Sequence, residues 1–117
     1  MNKKLSKKID FNNKVFKLVQ NSDHGSASDQ TKFIYKQDGN LVTADYYGGE
    51  VRYGKIIAEL KNEKLHMIYQ CMTTTNELKT GKALADITLD DKGKIKLKLN
   101  WEWLTSQEKG VSEYIEE

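Results

Sequence analysis

Few side chains in this chain have the type and spacing that bond-making chemistry needs. Cys71 is its only cysteine. The thiolate rather than the thiol attacks, so a nucleophilic Cys71 would need a base beside it. His66 is five residues upstream on an alternating segment, which puts it on the opposite face of a strand. His24 and His66 stand alone, without the spacing of metal ligands. Asp90 and Asp91 are adjacent carboxylates, but they open Asp-Asp-Lys-Gly and read as turn formers. Ser26, Ser28 and Ser112 sit in no nucleophile elbow. Gly48-Gly49 followed by Gly54 lacks the strand-to-helix setting of a phosphate-binding loop. The sequence therefore nominates no catalytic residue, no metal site and no cofactor.

Two sets of residues could bind something. Lys92, Lys94, Lys96 and Lys98 fall on one face of a strand and could contact phosphates or a protein partner. Sites for single-stranded nucleic acid also carry aromatics on the basic face. Here Trp101 and Trp103 point the other way, and the net charge is only +2. No nucleic-acid partner is expected, although a protein-interaction role for the Lys94–Lys98 face stays open. The second set is aromatic: Phe33, Tyr35, Tyr46, Tyr53, Tyr69, Trp101 and Trp103, all assigned to the inner face. Buried tyrosine hydroxyls and indole N–H groups need partners. Several converging in one interior form either a filled core or a pocket for a small, partly apolar molecule.

The elements that position these residues are strands. From Lys94 to Trp103 the alternation is unbroken, with Ile95, Leu97, Leu99, Trp101 and Trp103 on one face. Period two over that length is a half-buried strand. The turn before it, Asp91-Lys-Gly93, admits two registers. A two-residue loop sets Asp86 and Lys82 opposite Leu97 and Trp101. A three-residue loop with Gly93 left-handed pairs Leu89 with Ile95, Ile87 with Leu97, Ala85 with Leu99, Ala83 with Trp101 and Gly81 with Trp103. The second is chosen, because an unpaired buried charge costs more than a turn preference. It also places the smallest residues opposite the largest.

Other turns follow the same logic. Asp38-Gly39 reads as a two-residue loop, pairing Tyr35 with Val42 and Phe33 with Ala44. Tyr47-Gly-Gly-Glu50 pairs Tyr46 with Val51 and Ala44 with Tyr53. The apolar phase then slips by one at Gly54, which predicts a bulge. Lys61-Asn-Glu-Lys64 joins Ile56 to Tyr69, and a loop at Thr75-Asn-Glu77 starts the strand that runs to Leu89. Weaker strands at 14–20 and 110–117 complete a set of about eight. The expected fold is all-β, an antiparallel up-and-down meander closing into a calycin-like barrel, with a two-sheet sandwich as the alternative.

A chain of 117 residues fits one domain. Residues 1–10 read as a basic arm, disordered or a short helix, and 11–117 as the barrel. No apolar stretch is long enough for a membrane helix. No export signal follows the first lysines and one cysteine cannot form an internal disulfide, so a cytoplasmic location is expected. The sequence leaves a monomer and a homodimer equally open.

Several stretches are similar to a family of small bacterial proteins. They are Ala44-Asp-Tyr-Tyr-Gly-Gly-Glu-Val-Arg-Tyr-Gly54, Tyr69-Gln70, Gly93-Lys-Ile-Lys-Leu97, Trp101-Glu-Trp103 and Gly110-Val-Ser-Glu-Tyr-Ile-Glu-Glu117. Members often carry the label N-acetylglutamate synthase, which implies acyl transfer from acetyl-CoA. In relatives the position of Leu99 often holds a glutamate, and its loss here weakens any catalytic role for that face. The usual acyltransferase fold is mixed α/β with a pyrophosphate loop at a helix N-terminus, and this sequence shows neither. By architecture the chain also resembles lipocalin- and avidin-like barrels. The leading expectation is a non-enzymatic barrel that takes a small molecule against Tyr46, Tyr69, Trp101 and Trp103, with Gln70 near the rim. The alternatives are an acyltransferase and a protein-interaction module.

Overall fold

The computed structural model describes residues 9–21 and 27–117. The arm at 1–8, His24 and Ser26 lie outside these. Eight strands follow in order: β1 Val15–Asn21, β2 Lys32–Asp38, β3 Leu41–Gly48, β4 Val51–Lys61, β5 Lys64–Thr73, β6 Leu78–Leu89, β7 Ile95–Trp103 and β8 Lys109–Glu116. Each pairs antiparallel with the next, and β8 pairs with β1, so the sheet is a closed barrel. Closure leaves no open sheet edge. The sandwich alternative is thereby discarded.

The hairpin joining β6 and β7 has the three-residue loop and the register expected, from Leu89↔Ile95 to Gly81↔Trp103. Gly93 takes φ 80°. Asp90 holds this loop, its carboxylate accepting from the amides of Lys92 and Lys94 at 2.8 and 2.9 Å. All five inward residues of β7 are buried.

Two other registers differ from expectation. In β2–β3 the loop is Gly39-Asn40, so Tyr35 pairs with Ala44 and Phe33 with Tyr46. Only Gly39 has a positive φ (61°), the pattern of a turn with glycine first. In β3–β4 the loop is Gly49-Glu50, and Gly48 pairs with Val51 while Tyr46 pairs with Gly54. Gly48 is held at φ 114°, where an added Cβ would lie 2.1 Å from the Gln30 carbonyl oxygen. Any other residue there would push β3 off the loop that precedes β2.

The bulge in β4 falls between Val51 and Tyr53, ahead of Gly54, and it turns Tyr53 outward. Tyr53 is 51% exposed, against the expectation that it is part of the interior. Its hydroxyl donates to Asp45 Oδ1 at 2.6 Å. Together with the Lys55 ammonium, that bond holds the Asp45 carboxyl below its usual range.

The barrel interior has two unlike halves. At the end bearing the β2–β3, β4–β5 and β6–β7 turns it is packed solid. Phe11, ahead of β1, is fully buried there and seals that end. Its ring lies 5.5 Å from Tyr35 and 5.9 Å from Phe16. The lead-in is pinned to β2: the Asn13 amide donates to the Tyr35 carbonyl at 2.9 Å and the Phe11 amide to Gln37 Oε1 at 2.8 Å. The β1–β8 seam is latched where β8 ends: the Glu117 amide donates to the Val15 carbonyl at 2.7 Å, and Glu116 pairs with Lys14, just ahead of β1, at 3.4 Å. The other end, bordered by the β3–β4, β5–β6 and β7–β8 loops and by residues 27–31 ahead of β2, holds a second aromatic group around Tyr46, Tyr69, Trp101 and Trp103.

Candidate functional site

A cavity opens at that end. It is lined by Phe33, Tyr46, Ile56, Tyr69, Cys71, Leu99, Trp101, Trp103 and Tyr114, with Asn21, Ala27, Val51 and Ser112. The void at its centre is about 50 Å³. That is space for a few water molecules at roughly 10–15 Å³ each. With its mouth included, the free space reaches about 460 Å³.

Strand alternation explains how it forms. Tyr46 comes from β3, Tyr69 and Cys71 from β5, Trp101 and Trp103 from β7, and every one is inward by parity. The rings need floor space, and glycine supplies it. The Tyr46 ring lies flat across Gly54, where an added Cβ would come within 2.2–2.5 Å of ring atoms. The Tyr69 ring crosses Gly81 in the same way, at 2.6 Å. Phe33 stacks on Tyr46 at 4.8 Å, Tyr69 meets Trp103 edge-on at 5.5 Å, and the two indoles are 6.0 Å apart. Offset and edge contacts of this kind add to the energy of burial.

The polar groups form one chain. The Trp101 indole Nε1–H donates to Ser112 Oγ at 2.8 Å. The Ser112 hydroxyl in turn meets Asn21 Oδ1, and the Asn21 amide donates to the Ala27 carbonyl at 3.1 Å. The two cavity tyrosines are held more loosely. Tyr46 reaches the Gln70 carbonyl at 3.5 Å and Tyr69 the Lys82 carbonyl at 3.4 Å. These are long for O–H···O bonds, which cluster near 2.7–2.8 Å, and the Tyr46 hydroxyl also bonds the Cys71 thiol. Burial pushes the Tyr46 and Tyr69 hydroxyls upward, and Tyr114 up to about 12. They remain neutral donors at ordinary pH. Burial also raises the Cys71 thiol, keeping it protonated and a weak nucleophile.

Four of the five nominated residues, Tyr46, Tyr69, Trp101 and Trp103, meet around this one cavity. Gln70 does not. It alternates with Tyr69 and Cys71, so its side chain is exposed on the outer face and only its carbonyl serves Tyr46. That corrects its placement near the rim. Ser112, Tyr114 and Asn21 were not singled out. The rule of small opposite large would have found the phase of β8, since Trp101 pairs with Gly110 and the inward residues then run Gly110, Ser112, Tyr114. Asn21 depends on barrel closure, because it faces Ser112 only through the β1–β8 pairing.

The lysine face is not a continuous basic surface. Lys98 pairs across to Asp86 on one side and Glu113 on the other, and Asp86 also meets Lys64. Among the described residues no three His, Cys, Asp or Glu side chains gather to hold a metal ion. No described helix is long and apolar enough to cross a membrane.

The family model for avidin-like proteins matches residues 9–117. The chain belongs to the avidin-like family. The match starts just before the Phe11 plug and runs to the last residue, so it spans the whole described barrel. It gives no support to the N-acetylglutamate synthase label. Comparison with curated proteins and with solved structures returns no match.

Proposed function

We propose that this avidin-like barrel binds a small, partly apolar molecule in the open-end cavity and performs no chemistry on it. The carrying observation is the aromatic cavity itself. Tyr46, Tyr69, Trp101 and Trp103 wall a void in a barrel whose other end is packed and sealed by Phe11. Such concave, mostly apolar sites with a few placed polar groups are the usual form of small-molecule pockets. The Tyr69 hydroxyl, on a long bond to the Lys82 carbonyl, is the donor placed to turn toward a ligand. The Trp101–Ser112–Asn21 chain holds one wall rigid. Binding is favoured over acyl transfer because, among the described residues, the lining carries no carboxylate, imidazole or amine, and the Cys71 thiol is held protonated. A role as a protein-interaction module through Lys94, Lys96 and Lys98 is less favoured, since acidic neighbours interrupt that face.

A thermal-shift screen against a panel of small metabolites tests the reading. Compounds that raise the midpoint of the wild-type chain should lose that effect in Trp103→Ala, which removes one wall. A panel with no stabilising compound, or with shifts unchanged in Trp103→Ala, would reject the cavity as a binding site.

A further inference from the structure

We propose that the outer face of β4 and β5 docks a second copy of this chain, laid face to face about a two-fold axis that runs along the strands between β4 and β5. The surface lies on the barrel wall, and the proposal stands independently of what the cavity holds.

Exposure supplies the first argument. Ile57 and Ile68 point outward and pair directly across β4 and β5. They are 57% and 63% exposed. Leu41 on β3 and Leu84 on β6 are exposed on the same face, one row away. Single exposed aliphatic residues are ordinary, but a group of four rimmed by charged residues marks an interaction site.

The order of residues across the strands supplies the second argument, and it names the occupant. From β3 to β6 one outward row reads Leu41, Glu59, His66, Leu84, and the next reads Thr43, Ile57, Ile68, Lys82. A two-fold axis along the strands reverses each row. It sets Leu41 against Leu84 of the partner subunit, Glu59 against His66 of the partner subunit and Ile57 against Ile68 of the partner subunit. Apolar meets apolar, and the Glu59 carboxylate meets an imidazole whose N–H can donate to it. Each contact occurs twice, as in any isologous interface. The third row, Asp45, Lys55, Gln70, Thr80, brings no like charges together when reversed. At the β4–β5 turn Lys61 falls near Lys64 of the partner subunit, and within its own chain that ammonium is paired with Asp86. An axis across the strands instead would set Leu41 on Asp45 and Lys82 on its own copy. The pattern thus selects one orientation, with the two sheets stacked nearly aligned and about 10 Å apart.

Sedimentation velocity over a concentration series reads the assembly. The wild-type chain should pass from monomer to dimer as it is concentrated. Ile68→Glu should stay monomeric with an unchanged circular dichroism spectrum. Glu59→Lys and His66→Glu should each weaken the dimer by about tenfold (about 1.4 kcal/mol), since each change acts at two contacts. Mixed one to one, these two variants should associate about as tightly as the wild type. The introduced lysine then faces the introduced glutamate, and the native pair survives at the other contact. Mixing cannot repair a fault confined to one chain, so this arm separates docking from a local loss of structure. A wild-type chain that stays monomeric would overturn the proposal and leave the face to another occupant, either residues 1–8 or an unrelated protein. A dimer indifferent to Ile68→Glu, or single-variant losses that mixing does not recover, would overturn it as well.

Discussion

Ser112→Ala is the sharpest probe of how the cavity wall is held. Ser112 is 2% exposed, and among the described residues its hydroxyl accepts from the Trp101 Nε1–H at 2.8 Å. The same hydroxyl meets Asn21 Oδ1 and bonds Tyr114. Alanine has nearly the same volume, so packing survives and the loss is polar. It strands a buried indole donor, which costs about 1–3 kcal/mol. Unfolding entropy of about 2.1 cal/mol/K per residue, over 117 residues, converts about 2 kcal/mol into a fall in Tm of roughly 8 °C. Trp101→Phe removes the donor instead. In that background Ser112→Ala should cost at least about 1 kcal/mol less than in the wild type. Calorimetry or urea unfolding of the four proteins reads the coupling. A Ser112→Ala shift under about 2 °C, or costs that add within about 0.3 kcal/mol, would refute the network.

The glycine floors make a paired prediction. The three atoms nearest an added Gly54 Cβ all belong to the Tyr46 ring, so the overpacking cost of Gly54→Ala, about 1–3 kcal/mol, should largely vanish in a Tyr46→Ala background. Gly81→Ala also meets the Glu102 carbonyl oxygen at 2.8 Å, so Tyr69→Ala should leave much of its cost in place. Urea midpoints compare the two. The buried tyrosines Tyr35, Tyr46, Tyr69 and Tyr114 all have hydroxyls pushed above the free value of 10.0. Their contribution is complete below pH 10 and is lost as pH rises, since only the unfolded chain ionises freely. With the unfolded tyrosines half ionised at pH 10, each group costs about 1 kcal/mol between pH 10 and 11, so stability should drop by roughly 4 kcal/mol. Tyr35→Phe should flatten that slope by about a quarter, as urea unfolding across this range will show.

Fold class was readable because the residues from Lys94 to Trp103 alternate without a break and because burying Asp86 or Lys82 would have been too costly. Register was readable at β6–β7, where that charge penalty existed, and at β4–β5, where the Lys61-Asn-Glu-Lys64 turn brings Ile56 to Tyr69. Between β2 and β3 a shift of two residues keeps every side chain on its face, so hydrophobic pattern cannot detect it. Asp38-Gly39-Asn40 offers two loops, and the stacking of Phe33 on Tyr46 decides between them in three dimensions. Tyr53 was misplaced because a bulge one or two residues ahead of Gly54 reverses its face. The aromatic walls were visible as large residues opposite Gly81 and Ala83. The polar chain was not, because Asn21 and Ser112 are 91 residues apart and meet only when the first strand closes on the last.

The central claim is that the open-end void holds a small molecule. Native mass spectrometry of the chain incubated with a metabolite panel measures this directly. The account predicts one-to-one adducts that are lost in Cys71→Met, which extends a side chain into the void. An unadorned 13.5 kDa chain throughout, or adducts equally abundant in Cys71→Met, would contradict it.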